Sequence, residues 1–242
     1  MSQRNDRPSL RHQLLAAAIP RALKVSELVD EPTERAAVEA QGQGWPFGFP
    51  TGLTPGLSRR FVVRRETLRG TLDFPSYVVE PKAGGKTLRT LLYVHGGAFT
   101  APMHAVHVRF ATRLAHRLGA RVVIPDYPLA PRHTWKDSYD ALVEDAHRWR
   151  EASPEGFFLA GDSAGGGLAL ALALGLRERG WGLPDRMLLL APWVDLTTST
   201  PQTAVFAKAD TWLMFSKLDV YARWWAGSAE DLARPEVSPG LA

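Results

Sequence analysis

Between Leu91 and Leu190 the chain alternates between short apolar runs and longer segments whose apolar residues recur every three or four positions. Leu91-Leu92-Tyr93-Val94 is the first run. Phe110, Ala111, Leu114, Ala115 and Leu118 then form a helical stripe, and Arg121 to Pro125 reads as the next strand. A second stripe holds Tyr139, Leu142, Val143, Ala146 and Trp149, with Asp137 or Ser138 placed to cap it. Phe157-Phe158-Leu159-Ala160 is a short buried strand, residues 164–179 a small-residue apolar helix, and Met187 to Leu190 a further strand. A continuously apolar strand needs cover on both faces, and strands separated by helices return to pair in parallel. The alternation therefore predicts an α/β fold, with a mostly parallel central sheet between two layers of helices.

The flanks read differently. Residues 1 to about 40 are helical in composition, with Ala, Leu and Glu prominent. Trp45-Pro46-Phe47-Gly48-Phe49-Pro50 cannot continue a helix through two prolines and a glycine, and reads as an aromatic loop. Residues 60–68 and 71–81 read as two strands parted by Gly70. After Asp195 the alternation stops, and residues 198–228 are aromatic and helical, as in a lid inserted over a sheet. The expected organisation is an N-terminal lid and aromatic loop over 1–58 and a core over 59–197. Residues 198–242 would hold lid helices and the start of a further part of the core.

With 242 residues, 45% hydrophobic and 22% charged, the chain is long enough for one α/β domain with a sizeable core. Its 29 basic and 25 acidic side chains leave a net charge of +4, read as an excess spread along the chain. The densest cluster, Arg59, Arg60, Arg64 and Arg65, alternates with apolar residues as a strand with a solvated face does, and does not call for a nucleic-acid partner. The absence of cysteine excludes disulfides and thiolate chemistry and suits a cytoplasmic protein. The apolar stretch Leu14 to Pro20 is broken by Arg21 and Lys24, so an amphipathic helix is expected rather than a signal peptide. The longest apolar run, Leu168 to Leu176, is too short to span a bilayer. No metal or cofactor is expected: His104 and His107 stand three apart, but no third ligand is evident.

Chemistry enters at Gly161-Asp162-Ser163-Ala164-Gly165, which follows an apolar strand and precedes an apolar helix. In that context the pattern predicts a nucleophile elbow. The chain must reverse sharply, side chains two before and two after the serine would collide with neighbouring elements, and Ser163 projects at a helix N-terminus, where negative charge is favoured. His95-Gly96-Gly97-Ala98-Phe99 directly follows another apolar strand. Its turn is expected to point backbone N–H groups outward, so that the amides of Gly96 and Gly97, with that of Ala164, form an oxyanion hole. Asp162, Gly161 and Gly165 support the elbow, and His95 braces the turn.

Together with Asp126-Tyr127-Pro128-Leu129-Ala130-Pro131, Ala191-Pro192-Trp193-Val194-Asp195-Leu196 and Asp210-Thr211-Trp212-Leu213, these motifs resemble the hormone-sensitive-lipase family of esterases, over residue 60 to the end. Ala98 stands where that family usually has glycine, and Pro128 where it usually has arginine. The resemblance implies an α/β-hydrolase fold and hydrolysis of short- to medium-chain acyl or aryl esters. Ser163 would attack, an acyl-enzyme would form, and the partner is a small-molecule ester.

One requirement is unmet. A serine needs a base, normally a histidine oriented by a carboxylate, and in this fold the order is Ser, then Asp or Glu, then His. The histidines are His12, His95, His104, His107, His116, His133 and His147, all before Ser163. Asp195 ends a strand, but in the family that position borders the lid. The expectation is therefore a chain that stops before the family's last strands, with Val237 to Ala242 near the point of re-entry into the sheet. Residues 187–190 would become an apolar sheet edge prone to self-association. His95 and His133 lie after strands, but nothing in the sequence places an orienting carboxylate behind either. The other helical histidines read as surface or packing residues.

Trp45, Phe47, Phe49, Phe206, Trp212, Met214, Phe215, Trp224 and Trp225 crowd the two lid segments. Two readings stay open for them: an apolar acyl or aryl pocket, with Trp45, Phe47, Phe49, Phe206, Trp212 and Phe215 as its lining, or packed lid core. Two also stay open for the protein: a serine esterase, or a non-catalytic homologue that binds a small ligand.

Overall fold

The computed structural model describes residues 9–22, 26–42, 48–50, 56–82, 88–201, 203–210 and 212–242, and it places six strands in one sheet. They are β1 (Phe61–Leu68), β2 (Phe74–Pro81), β3 (Arg89–Val94), β4 (Arg121–Pro125), β5 (Gly156–Asp162) and β6 (Arg186–Leu190), ordered β1-β2-β4-β3-β5-β6. The hairpin partners β1 and β2 pair antiparallel, as do β2 and β4. The pairs β4/β3, β3/β5 and β5/β6 are parallel.

Among the described residues eight α-helices accompany the strands: α1 (Leu10–Ala22), α2 (Glu31–Gly42), α3 (Leu57–Arg60), α4 (Ala105–Leu118), α5 (Tyr139–Glu151), α6 (Ser163–Glu178), α7 (Thr203–Ala209) and α8 (Phe215–Ala226). Successive strand side chains point to opposite faces, and β3 shows the consequence. Leu91 and Tyr93 join a core with Val108, Ala111 and Ala115 of α4. Leu92 and Val94 join the other core, with Leu142 and Val143 of α5 and Leu168 and Leu172 of α6. The helices thus lie on both faces, as the alternation requires. The N-cap of α5 is Ser138.

Two features position the ends. Strand β6 is a sheet edge that pairs with β5 alone among the described residues, and its Met187 and Leu188 are exposed. Residues 237–242 do not enter the sheet as a strand. Gly240 N–H donates to Val194 O at 2.8 Å, and the buried Ser238 hydroxyl accepts from Leu196 N–H at 2.9 Å. Helices α2 and α8 meet one another: Trp224 Nε1 donates to Glu31 Oε1 at 2.7 Å, Lys217 Nζ lies 2.9 Å from Glu34 Oε2, and the Tyr221 hydroxyl donates to Glu34. Among the described residues, no helix is long and apolar enough to cross a membrane.

Candidate active site

Strand β5 ends at Asp162 and helix α6 begins at Ser163, with no linker between them. The reversal puts Ser163 at φ 51°, in the left-handed region that a non-glycine residue enters only under constraint. The glycines explain how the turn fits. A Cβ on Gly161 would lie 2.3 Å from Gly165 O, and one on Gly165 would lie 2.3 Å from both Val94 O and His95 O. The same contacts press the end of β3 and the following loop against the elbow. Trp193 N–H donates to Ser163 O at 2.9 Å, and the Ser163 side chain is half-buried at the N-terminus of α6.

The loop after β3 is held by several ties. Gly97, Ala98 and Phe99 have φ of 126°, 51° and 61°. Two consecutive non-glycine residues with positive φ are strained, and they persist where surrounding contacts over-determine the backbone. Those contacts are present: Thr100 and Ala101 N–H groups donate to Gly97 O at 2.9 Å, Ala130 N–H donates to Phe99 O at 2.9 Å, and the Tyr127 hydroxyl donates to His95 O at 2.8 Å. Phe99 stacks on Trp225 of α8 with ring centroids 4.3 Å apart and planes 4° apart.

Here one expected donor is corrected. Gly96 N–H already donates to Asp162 Oδ1 at 3.0 Å, and that same oxygen accepts from the Tyr93 hydroxyl at 2.6 Å. A Cβ on Gly96 would stand 2.4 Å from Asp162 Oδ2, so glycine is required for the close approach. The amide of Gly96 is thus committed to a carboxylate. No acceptor among the described residues takes the amides of Gly97, Ala98 or Ala164. Asp162 does more than shape the elbow, since it ties the elbow to the glycine loop across 66 positions.

His95 is fully buried, and its Nδ1–H donates to Gly96 O at 2.8 Å. Burial pushes its pKa down to about 4, against a smaller opposing effect of the Gly96 bond, so the ring is neutral at pH 7. Its Nε2 is buried without a partner among the described residues. The ring stacks on Tyr127 at 4.5 Å. His107 departs from the reading as a surface or packing residue. Its Nδ1 accepts from His104 N–H at 3.0 Å, and its Nε2 lies 3.7 Å from Asp162 Oδ2. Burial lowers its pKa while Asp162 opposes the shift. His133 also differs from expectation, because a carboxylate does stand near it. Asp137 Oδ2 is 3.9 Å from its Nδ1, although that oxygen also accepts from Thr134 N–H at 2.8 Å. His147 stacks on Trp181 at 4.2 Å, a packing role, and the side chain of His12 lies outside the described residues.

The family model of the alpha/beta hydrolase fold matches residues 91–242, more than half of the chain. The chain belongs to the α/β-hydrolase family. Among curated α/β-hydrolase relatives, an esterase of Acinetobacter venetianus is 32% identical over 162 residues, covering 66% of this chain and 54% of that protein. Esterase LipU of Mycobacterium tuberculosis is 31% identical over 213 residues, covering 80% and 71%. A solved hyperthermophilic esterase from the archaeon Pyrobaculum calidifontis superposes with a TM-score of 0.67 at 28% identity, covering 88% of this chain and 70% of that one. The esterase relatives agree with the family read from the motifs. The chain spans about half the length of the first curated relatives it matches, 54% and 50%.

The aromatic residues expected to line an α/β-hydrolase acyl pocket are dispersed. Trp45 and Phe47 lie outside the described residues. Phe49 packs on Tyr77 with centroids 5.2 Å apart, Phe206 and Trp212 are exposed, and Phe215 is half-buried. Among the described residues of that set, Phe206, on the seven-residue α7, and Trp212 face outward and do not join a buried lining. Trp225, grouped with them in sequence, is instead fully buried beneath the glycine loop. Phe215, Leu218, Ala222 and Trp225 recur every three or four positions along α8, the spacing of one helix face.

Proposed function

We propose that the chain carries the nucleophile of a serine carboxylic-ester hydrolase. Ser163 Oγ would attack the ester carbonyl, and the amides of Gly97, Ala98 and Ala164 would receive the developing oxyanion. The observation that carries the reading is the φ of 51° at Ser163, wedged between two glycines that have no room for a side chain. Ala98 enters in place of Gly96 because the Gly96 amide is spent on Asp162. Backbone donors act whatever the side chain, so alanine in place of glycine keeps the function. The relatives' esterase names support carboxylic esters as substrates, and the motifs' resemblance implies short- to medium-chain acyl or aryl ones.

Residues 164–242 contain no histidine. Of those before it, His95 has its remaining nitrogen buried, and the nearer nitrogen of His107 faces Asp162. These 242 residues therefore supply nucleophile and oxyanion donors without an assigned base. The alternative reading is ligand binding without turnover. A fluorophosphonate separates the outcomes, because it needs a placed serine and an oxyanion site. Peptide mass spectrometry is expected to find the adduct on Ser163 alone in the folded chain. Labelling should be slow, yet about 100-fold faster than in the urea-unfolded chain, as an oxyanion site without a base still accelerates reaction. The label should be absent in Ser163→Ala. Labelling at equal rates in folded and unfolded chain would sink the esterase reading. Saturable ester binding without p-nitrophenolate release would favour the second.

A further inference from the structure

The basic excess is unevenly distributed. Residues 40–65 and 81–125 are the two longest stretches without an acidic residue. The first holds four arginines, and the second seven lysines and arginines. The fold brings the two stretches together at a groove of about 610 Å³ between α3, the start of β1 and the outer face of α4. Its floor is apolar: Leu57 and Phe61 are buried, and Phe110 and Leu114 are half-buried against the same core. Its rim is cationic. Arg113 and Arg117 recur four apart on α4, and Arg60 faces them from α3. No carboxylate among the described residues forms an ion pair with Arg60, Arg113 or Arg117. None of the groove's residues belongs to the elbow or the glycine loop.

An apolar trough edged by guanidinium groups and depleted of acids is complementary to an amphiphilic anion. We propose that the groove is a binding site for a medium-chain fatty carboxylate. The alkyl chain would lie along Leu57, Phe61, Phe110 and Leu114, and the carboxylate would pair with Arg60, Arg113 and Arg117. The volume is in the range of small-ligand sites. A free carboxylate fits better than an anionic bilayer, because the apolar side chains are recessed below the arginines, whereas membrane-seeking surfaces project theirs. The assignment does not rest on the esterase reading.

The test is a fluorescence titration of the purified chain with 11-(dansylamino)undecanoic acid. Saturable binding of one probe per chain is expected, displaced by undecanoic acid but not by undecanol or dodecyltrimethylammonium. The variant Arg60→Gln/Arg113→Gln/Arg117→Gln, with an unchanged melting temperature, should bind about tenfold or more weakly through loss of charge-assisted bonds. Leu114→Glu should bind more weakly still. Binding by the triple variant within twofold of the parent would overturn the proposal, since a probe held near Ser163 behaves that way. Displacement by undecanol equal to that by undecanoic acid would also overturn it. So would co-sedimentation with phosphatidylglycerol vesicles in the absence of probe binding, which would mark a membrane contact.

Discussion

Gly165→Ala is expected to destabilise the chain by about 3 kcal/mol or more, because overpacking against rigid backbone cannot be relieved by a rotamer change. The added methyl would stand 2.3 Å from the carbonyl oxygens of both Val94 and His95. Those atoms lie at the end of a central strand, so relief requires moving β3 or the start of α6. Gly182→Ala is the matched control. Gly182 is exposed, and its Cβ would meet only the flexible Arg150 side chain at 3.4 Å, so a change within about 0.5 kcal/mol is expected. Urea unfolding followed by tryptophan fluorescence measures both. Similar midpoints for the two variants would mean that the strand-to-helix junction is looser than described.

Trp225→Ala is expected to cost about 3–5 kcal/mol, as large buried aromatic truncations do. The indole is fully buried, lies flat on Phe99 at 4.3 Å and meets Tyr127 edge-on at 6.1 Å. Phe99 has φ 61°, a conformation held by packing and by the hydrogen bond from Ala130. Removing the indole therefore does more than open a cavity. Amide exchange at Thr100 and Ala101, whose N–H groups close on Gly97 O, should accelerate beyond the change at β5. A fall in global stability with no selective loss at these two amides would show that α8 packs on the loop without holding its shape.

These two cases also mark what a linear reading reaches. The alternation from Leu91 to Leu190 carries the parallel strands β3 to β6 and both helical layers, because the period of apolar residues is a local property that burial on two faces imposes. The elbow is equally legible, since Gly161, Ser163 and Gly165 answer to a local steric demand. The proposed oxyanion donors are less so. Whether Gly96 or Ala98 presents a free amide depends on Asp162, 66 positions away, and that contact arises only when β3 and β5 lie side by side. His107 lies on an amphipathic helix and carries no sign of its approach to Asp162. Aromatic composition could not separate Trp225, which enters the core, from Phe206 and Trp212, which face outward, because that depends on how short helices dock.

Charge on a tetrahedral adduct at Ser163 would be received by main-chain amides. A crystal structure of the phosphonylated chain tests this directly. It should show phosphorus on Ser163 Oγ and the phosphonyl oxygen about 2.7–3.1 Å from the amides of Gly97, Ala98 and Ala164. Ser163 should keep its positive φ, and the Gly96 amide should stay on Asp162. A phosphonyl oxygen turned to solvent, or bonded to the Gly96 amide with Asp162 displaced, would contradict it.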